Sequence, residues 1–545
     1  MEDPKEQNDS QVQEILPPVR PRISRNCSVE QLKEDLDVEN FDEDSLLPIG
    51  SAVQLYATGA DPIYRQPWKV DKQTAWTGSG VCTRGNRIIT NAHCVHNATM
   101  IQIQRQDNPK KWRARATAVA HDLDLAVIEV DDADFWIDAV TADFAPVDKP
   151  IELYTEVNAI GFPLGGSTLC VTKGVISRFD AHLYAHPENL GVLEASKNYH
   201  GPIFILQVDS AINAGNSGGP AVDQSGDVVG IASSGIDEAQ NIGFVIPASI
   251  VHLFLDEVKS MGKWTGVSEL GLWHRSLEAD TYRLSIGMDA KATGVLVEEV
   301  APLSALFQKV LPGDILTHID GSSISNEGKV PISVSQQTVY VECEALITCK
   351  PKGTPTKFGL LRKNDKGVLT KITVIGNMKP FSPLVPRFHS FDIVPEYVLV
   401  GGIVFSRASL PLAISVEKFY GDDFRKCFFE YKKNESHEKV VVVDILRHDI
   451  NIGYSFETDI KFLESVNGEV VRNLSHLAAI ITKLEAEKAE LDNSSDDKNF
   501  VKFYFQGPSK FPDIVLEKSK ISNANQEICK DHAIFNVISP SLLRS

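Results

Sequence analysis

A serine flanked by glycines is the feature of this chain that most directly suggests chemistry. It lies in the hexapeptide Gly215-Asn216-Ser217-Gly218-Gly219-Pro220. Glycines let the backbone approach a bound carbonyl closely, and they let successive N–H groups turn toward the point where an oxyanion develops. We assign that oxyanion-binding part to Gly215, Asn216 and Ser217. Because a serine hydroxyl is a poor nucleophile unaided, the chain must also supply a base and an orienting carboxylate.

Candidates for both groups lie earlier in the chain. His93 follows an apolar segment that predicts a strand, and Asp124 lies in the alternating segment His121–Ile128, which predicts a second strand. Asp122 is expected on the same face of that strand and competes with Asp124 for the orienting part. The order His, Asp, Ser is that of chymotrypsin-like double barrels, in which His and Asp come from one barrel and Ser from the next. We therefore predict His93 as base, Asp124 as orienting carboxylate and Ser217 as nucleophile.

Each of these motifs has an ordinary explanation when taken alone. A glycine-serine loop is usually only a turn. A single histidine is more often a core or surface group, and a single aspartate at a strand end is more often a solvated one. Three motifs in one chain order, each in a fitting strand or turn, favour the catalytic interpretation.

Further motifs make the chain similar to the Deg/HtrA serine proteases, and most to a plant-type branch with two PDZ domains. The resemblance covers the chain from about Trp76 to the region after Pro380. Its motifs are Thr90-Asn91-Ala92-His93, Asp124-Leu125-Ala126-Val127, Gly161-Phe162-Pro163, Gly174-Val175-Ile176-Ser177, Gly215-Asn216-Ser217-Gly218-Gly219-Pro220 and Asn241-Ile242-Gly243-Phe244-Val245-Ile246-Pro247.

The resemblance implies a mainly β fold with α+β parts, namely a chymotrypsin-like double β-barrel protease domain followed by two PDZ-like domains. It also implies an ATP-independent serine endopeptidase that acts on damaged or partly unfolded proteins and assembles as a homo-oligomer built on trimers. Ile242 and Phe244 would shape a small apolar specificity pocket that prefers aliphatic residues. An edge strand pairing with the substrate backbone would comprise Ile231, Ala232, Ser233 and Ser234.

Four regions follow from the motifs and the composition. Residues 1–47 form an acidic leader that is expected to be disordered, and residues 48–262 form a trypsin-like protease domain. Residues 263–380 form a first PDZ domain, and residues 381–545 form a divergent PDZ-like domain with a C-terminal extension. The PDZ domains would serve substrate capture, regulation or assembly.

The last region contains a possible peptide-binding loop. Gly401, Gly402 and Ile403 resemble the glycine loop whose amides hold a peptide's terminal carboxylate, so a peptide would add as a strand to the sheet edge. A predicted helix face would border it, made of Leu474, Leu477, Ala478, Ile481 and Leu484. The alternative is a degenerate domain that serves only assembly.

Composition excludes several classes of partner. The chain has 545 residues and a formal net charge of −19, which opposes general binding to nucleic acid or anionic membranes. No apolar run reaches the roughly 18 residues that a membrane helix needs. No cofactor or metal is expected, since the side chains of His93-Cys94-Val95-His96 are too close in sequence to converge on one ion.

The amino-terminal residues and the cysteines bear on location. Residues 1–45 contain 13 acidic and 5 basic residues, unlike a secretory signal or a transit peptide. Eight scattered cysteines are typical of a reducing compartment. These features predict a cytoplasmic or nuclear protein.

A second function of another class stays open. The chain could be a non-proteolytic, chaperone-like or peptide-binding scaffold that retains the barrels and works through its PDZ domains. A serine-directed probe that labels the wild type but not Ser217→Ala would distinguish the two functions.

Overall fold

The structure is a computed structural model. It describes residues 47–163, 166–182, 202–235, 242–334, 337–381, 383–386, 391–415, 427–428, 430–455, 461–486, 499–507 and 511–543. The predicted acidic leader lies almost wholly outside the described residues, as does part of the segment around 483–499.

The first six strands close into a barrel in the order β1-β2-β3-β6-β5-β4. Along β5, which alternates lysine and arginine with tryptophan and alanine, exposed residues alternate with buried ones at first, as expected when one face of a strand meets a core. The strands are β1 (Ala52–Gly59), β2 (Thr74–Thr83), β3 (Arg87–Thr90), β4 (Ala98–Arg105), β5 (Lys111–Ala120) and β6 (Leu125–Glu129).

The next six strands close into a second barrel in the order β10-β11-β12-β9-β8-β7. These strands are β7 (Glu156–Gly161), β8 (Cys170–His182), β9 (Ile203–Val208), β10 (Pro220–Asp223), β11 (Val228–Gly235) and β12 (Gly243–Pro247). Helix α1 (Ala248–Met261) follows directly and ends at Gly262, whose φ of 72° suits glycine. The apolar face of α1 packs into a core cluster that contains residues of both barrels, including Leu123 and Ile246.

A third group of strands follows the barrels. Strands β13 (Leu272–Arg275), β14 (Val295–Val300), β15 (Ile315–Ile319), β19 (Pro355–Lys363) and β20 (Leu369–Asn377) form one sheet in the order β13-β14-β15-β19-β20, with β16 (Ser322–Ser323) paired to β15. Strands β17 (Lys329–Val334) and β18 (Gln337–Glu342) form a separate hairpin. Two short helices, α2 (Asp280–Ser285) and α3 (Ala345–Thr348), accompany them.

The described residues of the C-terminal part form two sheets and three α-helices. Strands β21 (Tyr397–Val400), β22 (Ile403–Arg407) and β23 (Val440–Ile445) form one sheet, and the other is β25-β24-β26-β27. Its strands are β24 (Leu463–Val466), β25 (Glu469–Val470), β26 (Phe500–Phe505) and β27 (Ile514–Glu517). The helices are α4 (Leu410–Ser415), α5 (Leu474–Ala486) and α6 (Lys518–Asp531). Short 3₁₀ helices occur at Ile49–Ser51, Ala133–Trp136 and Asp449–Asn451.

This architecture confirms the predicted fold class, because two closed six-stranded barrels precede smaller modules made of strands and short helices. Helix α5 also confirms the predicted apolar face, since Leu474, Leu477, Ala478 and Ile481 are buried in it. The domain boundaries remain predictions. Among the helices of the described ranges, none is long and apolar enough to cross a membrane.

Candidate active site

His93 and Asp124 are brought together by two turns of the first barrel. His93 lies in the turn after β3, and Asp124 lies immediately before β6, the strand that pairs with β3. His93 Nδ1 is 2.9 Å from both carboxylate oxygens of Asp124, and the backbone N–H of His93 donates to Asp124 Oδ1 at 3.0 Å. The carboxylate therefore orients both the ring and the main chain of the histidine.

The predicted strand from His121 begins later than expected, and this separates the two aspartates. Residues 121–124 form a turn, and Asp124 has a left-handed φ of 50°. Asp122 accepts hydrogen bonds from Trp264 Nε1 at 2.7 Å and from the amide of Val267 at 2.9 Å. Asp122 thus anchors the segment after α1, and of the two aspartates the geometry places Asp124 against His93.

Ser233 contacts both the carboxylate and the serine hydroxyl. Its Oγ donates to Asp124 Oδ2 at 2.8 Å, and its carbonyl oxygen accepts from Ser217 Oγ at 2.5 Å. Sequence reasoning placed Ser233 only in the substrate strand, and nothing in its local sequence indicates a contact with a residue 109 positions earlier. Ser217 Oγ thus donates to a backbone carbonyl in this structure, whereas attack on a substrate requires that its proton pass to a base.

A buried hydroxyl in the first barrel holds the Ser217 loop. Ser79 Oγ donates to the carbonyl of Gly215 at 2.6 Å and accepts from the amide of Phe162 at 2.9 Å. The amide of Ser79 donates to the carbonyl of Ser217 at 2.9 Å. These contacts cross from β2 to the second barrel, and they fix the loop beside the His93 turn.

Two glycines let this loop pass close to the strands. Gly218 has a φ of 88°, and an added Cβ would lie 2.1 Å from the carbonyl oxygen of Ser79. At Gly219 an added Cβ would lie 2.1 Å from the carbonyl oxygen of Ile160. Only glycine fits at both places, which explains the glycine pair after the serine.

Three residues are predicted to bind an oxyanion, and the hydrogen bonds of the loop exclude one of them, Asn216. The amide of Asn216 donates to the carbonyl of Asn213 at 2.9 Å, so it is not available to a substrate. Gly215, with a φ of 100°, and Ser217 donate their amides to no backbone carbonyl of the described residues. The prediction that included Asn216 is therefore wrong, because the turn itself uses that N–H group.

The electrostatics of His93 follow from its surroundings. Burial disfavours the imidazolium, but the carboxylate of Asp124 outweighs burial and raises the pKa of His93 well above its ordinary value. The side chains are 22% and 13% exposed, so the pair is shielded from much of the solvent. A protonated ring cannot act as a base, and the neutral form is reached only above that raised pKa.

The predicted substrate strand is only partly open. Strand β11 pairs with β10 and β12 through Ile231, and Ala232 pairs with Val245 of β12, so the description of Ile231–Ser234 as an edge is wrong for its first two residues. Both belong to an interior strand of a closed barrel, with fully buried side chains. The pairing with β12 shifts register between Ala232 and Gly235, and this leaves Ser233 and Ser234 as the stretch where a substrate backbone could add.

The predicted pocket residues lie at the start of β12. Ile242 and Phe244 are half-buried, and Phe244 packs against the core cluster shared by the two barrels. Between them, an added Cβ on Gly243 would lie 2.7 Å from Ile212 Cδ1. The buried Ile212 side chain therefore covers the glycine, an apolar contribution that sequence reasoning missed.

The predicted carboxylate loop in the C-terminal part cannot act as proposed. The amide of Gly401 donates to the buried Asn525 Oδ1 at 2.8 Å, and its carbonyl accepts from Asn451 Nδ2 at 2.8 Å. Strand β22, which starts at Ile403, pairs on both sides, with β21 and β23. Gly401, Gly402 and Ile403 are buried. The prediction is wrong because side chains of the same module already take the places of a peptide.

The cysteines and the His93–His96 segment show separate contacts. No disulfide joins any two of the seven cysteines in the described ranges, and burial raises the pKa of Cys82 to about 12. Cys94 Sγ donates to the carbonyl of Ser217 at 3.6 Å, whereas His96 Nδ1 lies 2.8 Å from a carboxylate oxygen of Asp392. The side chains of His93, Cys94 and His96 thus have different partners.

Two family models match the chain. Residues 78–231 match the trypsin-like peptidase domain, and residues 385–541 match a PDZ domain. The first match includes the His93 and Asp124 turns and the Ser217 loop. The second falls on the module that the sequence marks as the more divergent of the two.

Whole-length relatives decide the family. "Protease Do-like 2, chloroplastic" of Arabidopsis thaliana is 30% identical over 502 residues, which cover 91% of this chain and 76% of the relative. The chain belongs to the Do-like, or Deg/HtrA, family of proteases. "Putative protease Do-like 3, mitochondrial" from the same plant is 28% identical over 96% of this chain and 86% of its own length. Among solved structures, "HtrA-type protease AlgW with decapeptide" is 23% identical with a TM-score of 0.43, over 61% of this chain and 96% of that one.

These relationships establish the predicted activity class. This Deg/HtrA protein is a serine endopeptidase with a PDZ domain, and such a combination indicates protein substrates. The recognition of the family from its motifs is confirmed.

The predicted location is wrong. The two plant relatives are named as chloroplastic and mitochondrial proteins, which points to an organelle rather than to the cytoplasm or nucleus. The failed prediction relied on the acidic character of residues 1–45 and on the scattered cysteines.

Proposed function

We propose that this protease cleaves damaged or partly unfolded proteins, without ATP, through a triad of His93, Asp124 and Ser217. The observation that carries the proposal is the contact of His93 Nδ1 with Asp124 at 2.9 Å, beside a serine loop tied to the same place by Ser79 and Ser233. The absence of a Gly-x-x-x-x-Gly-Lys nucleotide loop from the sequence supports energy-independent proteolysis.

The proposed reaction has two stages, acylation of Ser217 and hydrolysis of the acyl-enzyme, and His93 acts as the base in both. His93 removes the proton of Ser217 Oγ as that oxygen attacks the scissile carbonyl, and the amides of Gly215 and Ser217 bind the oxyanion. The protonated ring then gives its proton to the leaving amine. Water attacks the acyl-enzyme with His93 again as base, and Asp124 holds the tautomer throughout.

The substrate would add to Ser233 and Ser234, with the cleaved residue's side chain next to Ile242, Phe244 and Ile212. The buried Ile212 side chain packs against Gly243 and adds a third apolar side chain at this place. We therefore propose cleavage after small aliphatic residues, which mapping of cleavage sites in a denatured protein mixture by mass spectrometry would test.

The modules after the barrels would serve capture, regulation or assembly. In the first of them, β13 is at the end of its sheet among the described strands, so its outer side is the better place for an added peptide strand. The buried Gly401 loop favours a structural or regulatory part for the second module. We propose a homo-oligomer built on trimers, and mass measurement in solution would test it.

The observation that bears on the alternative, a non-proteolytic scaffold, is that Ser217 Oγ donates to the carbonyl of Ser233. The decisive experiment is labelling with a fluorophosphonate probe and hydrolysis of unfolded casein, each with wild type and Ser217→Ala. We expect labelling and hydrolysis that both depend on Ser217. Absence of labelling across pH and in the presence of peptide activators would instead favour the scaffold.

A further inference from the structure

Asp392, in the C-terminal module, is surrounded by donors from the first barrel. Its Oδ1 accepts hydrogen bonds from the amide of Asn97 at 2.6 Å and from His96 Nδ1 at 2.8 Å. Its Oδ2 lies 2.6 Å from His121 Nε2. One carboxylate therefore joins two separate turns of the barrel.

Those two turns carry the proposed base and its carboxylate. His96 follows His93 by three residues, and His121 precedes Asp124 by three residues. The turns meet directly where Asp124 accepts hydrogen bonds from His93 and Asn91, and where the rings of His96 and His121 pack with their centroids 5.5 Å apart. Asp392 forms a further connection beside these contacts, so a shift of either turn would also change the contacts of Asp392.

Phe391 fills the space next to this carboxylate. Its buried ring has its centroid 5.3 Å from the rings of both His96 and His121. Asp392 itself has a left-handed φ of 60°, which is uncommon for a residue other than glycine and is retained only where surrounding contacts determine it. The pair Phe391-Asp392 is thus held tightly between the two turns.

We propose that Asp392 is a positioning residue for peptide hydrolysis, through which the C-terminal PDZ module keeps the His93 and Asp124 turns in their catalytic arrangement. The inference rests on the proposed triad. It gives the C-terminal module a function in positioning the groups of the chemical step, which agrees with the structural or regulatory part that the buried Gly401 loop favours.

Charge supports the arrangement. Burial alone would raise the pKa of Asp392, but hydrogen bonds from His121 and His96 outweigh it and hold the pKa well below its ordinary value. The carboxylate therefore stays ionised and keeps accepting from all three donors.

The alternative function for this cluster is to bind a metal ion, since imidazoles and carboxylates are common metal ligands. The possible ligand atoms of His96, His121 and Asp392 lie within 4.8 Å of one another. However, one nitrogen of each imidazole is at hydrogen-bond distance from a different oxygen of the Asp392 carboxylate. The second nitrogen of His96 lies 3.0 Å from Asn97 Nδ2. These hydrogen bonds account for the positions of the two imidazoles around Asp392 without an ion.

The test compares two identical substitutions at contacts between the same parts of the chain. Asp392→Asn replaces an acceptor with an amide that cannot accept from all three donors. The matched control is Asp444→Asn, since Asp444 Oδ1 lies 3.7 Å from Nη2 of Arg65, a residue between β1 and β2, and its side-chain contacts within the described ranges include neither the His93 turn nor the Asp124 turn. With a short peptide substrate we expect Asp392→Asn to lower kcat by about tenfold or more, with KM changed less than about twofold. Asp444→Asn should change neither. Equal losses in the two variants, or a fully active Asp392→Asn, would overturn the proposal.

A second measurement does not depend on activity. In a Ser217→Ala background, Asp392→Asn should speed hydrogen exchange in peptides covering residues 91–98 and 120–125, whereas Asp444→Asn should not. Unchanged exchange would contradict the inference even if the triad itself were correct. If wild-type protein shows no Ser217-dependent hydrolysis, the proposed function fails, but this exchange experiment still tests the contact.

Conservative rescue separates hydrogen bonding from packing and from metal binding. His121→Gln keeps a donor near the position of Nε2 and should retain more activity than His121→Ala. The double variant His121→Ala with Asp392→Asn should be no worse than the poorer single one. Loss of wild-type activity on chelation, restored by Zn²⁺, would show metal ligation and overturn the hydrogen-bonded role.

Discussion

The hydroxyl of Ser79 offers a sharp test of how the two barrels hold the catalytic loop. Ser79 is completely buried, and its Oγ is bonded both to the carbonyl of Gly215 and to the amide of Phe162. Ser79→Ala removes one oxygen atom and leaves both of those backbone groups without that partner. The substitution creates little empty space, so the expected effect comes from hydrogen bonding.

The size of the expected stability loss follows from the two backbone groups that lose their hydrogen-bond partner. Each buried polar group left without a hydrogen-bond partner destabilises the folded state by about 1–3 kcal/mol. Part of this loss is offset because the variant has no serine hydroxyl to remove from water on folding. We expect the barrels to lose about 2–4 kcal/mol of unfolding free energy. For a domain of this size that corresponds to a fall in melting temperature of about 4–16 °C. Freeing Gly215 should also lower kcat by about tenfold or more, since its amide is a proposed oxyanion donor.

The control is a second buried serine. Ser51 is equally buried, but its Oγ has no hydrogen-bond partner among the described residues. Ser51→Ala should therefore change the melting temperature by no more than about 2 °C and leave kcat unchanged. Differential scanning calorimetry and peptide hydrolysis would measure both variants. Melting temperatures that agree within about 2 °C between Ser79→Ala and Ser51→Ala would refute the reasoning.

Three further predictions concern the site itself. The Asp124 carboxylate raises the pKa of His93, so kcat/KM should increase with pH around a midpoint above 6.5, the ordinary pKa of histidine. Asp124→Asn should lower both this midpoint and the plateau of the pH–rate profile. An unchanged midpoint in that variant would contradict the prediction. Ser233→Ala removes a hydrogen bond to a charged carboxylate and should reduce kcat/KM about tenfold, from a loss of about 1.5 kcal/mol, and a reduction below twofold in steady-state assays would speak against it. Gly218→Ala would place a Cβ 2.1 Å from a backbone oxygen and should abolish soluble folded protein. Gly262 has a φ of 72° and nothing within 4 Å of an added Cβ, so Gly262→Ala should lower the free energy of unfolding by only about 1 kcal/mol. Equal stability of the two variants in thermal unfolding would disprove the steric argument.

The pairing of His93 with the Asp124 segment could be predicted because the motifs around His93, Asp124 and Ser217 keep a chain order that few folds produce; the triad itself stays a prediction. The choice between Asp122 and Asp124 could not be predicted. The two are close in sequence, and an alternating pattern assigns them to one strand face. The turn at residues 121–124 sends Asp122 toward Trp264 instead.

The glycine loop at Gly401 illustrates the opposite error. Its sequence has the flexibility that a carboxylate site requires, and that part of the prediction was reasonable. What fills the loop is Asn451 and Asn525, residues 50 and 124 positions away. No local sequence pattern indicates which distant side chain will accept a hydrogen bond from a given backbone N–H group.

The amino-acid sequence alone determined the fold class, the strand and helix periodicities and the residue types available for acyl transfer, because these depend on local preference and motif order. Only the tertiary structure decided which groups share hydrogen bonds: that Ser233 contacts both Ser217 and Asp124, that Asn216 is used by its own turn, and that Asp392 reaches the two catalytic turns. Hydrogen bonds require distances near 3 Å, and such distances between remote residues are set by the packing of whole domains.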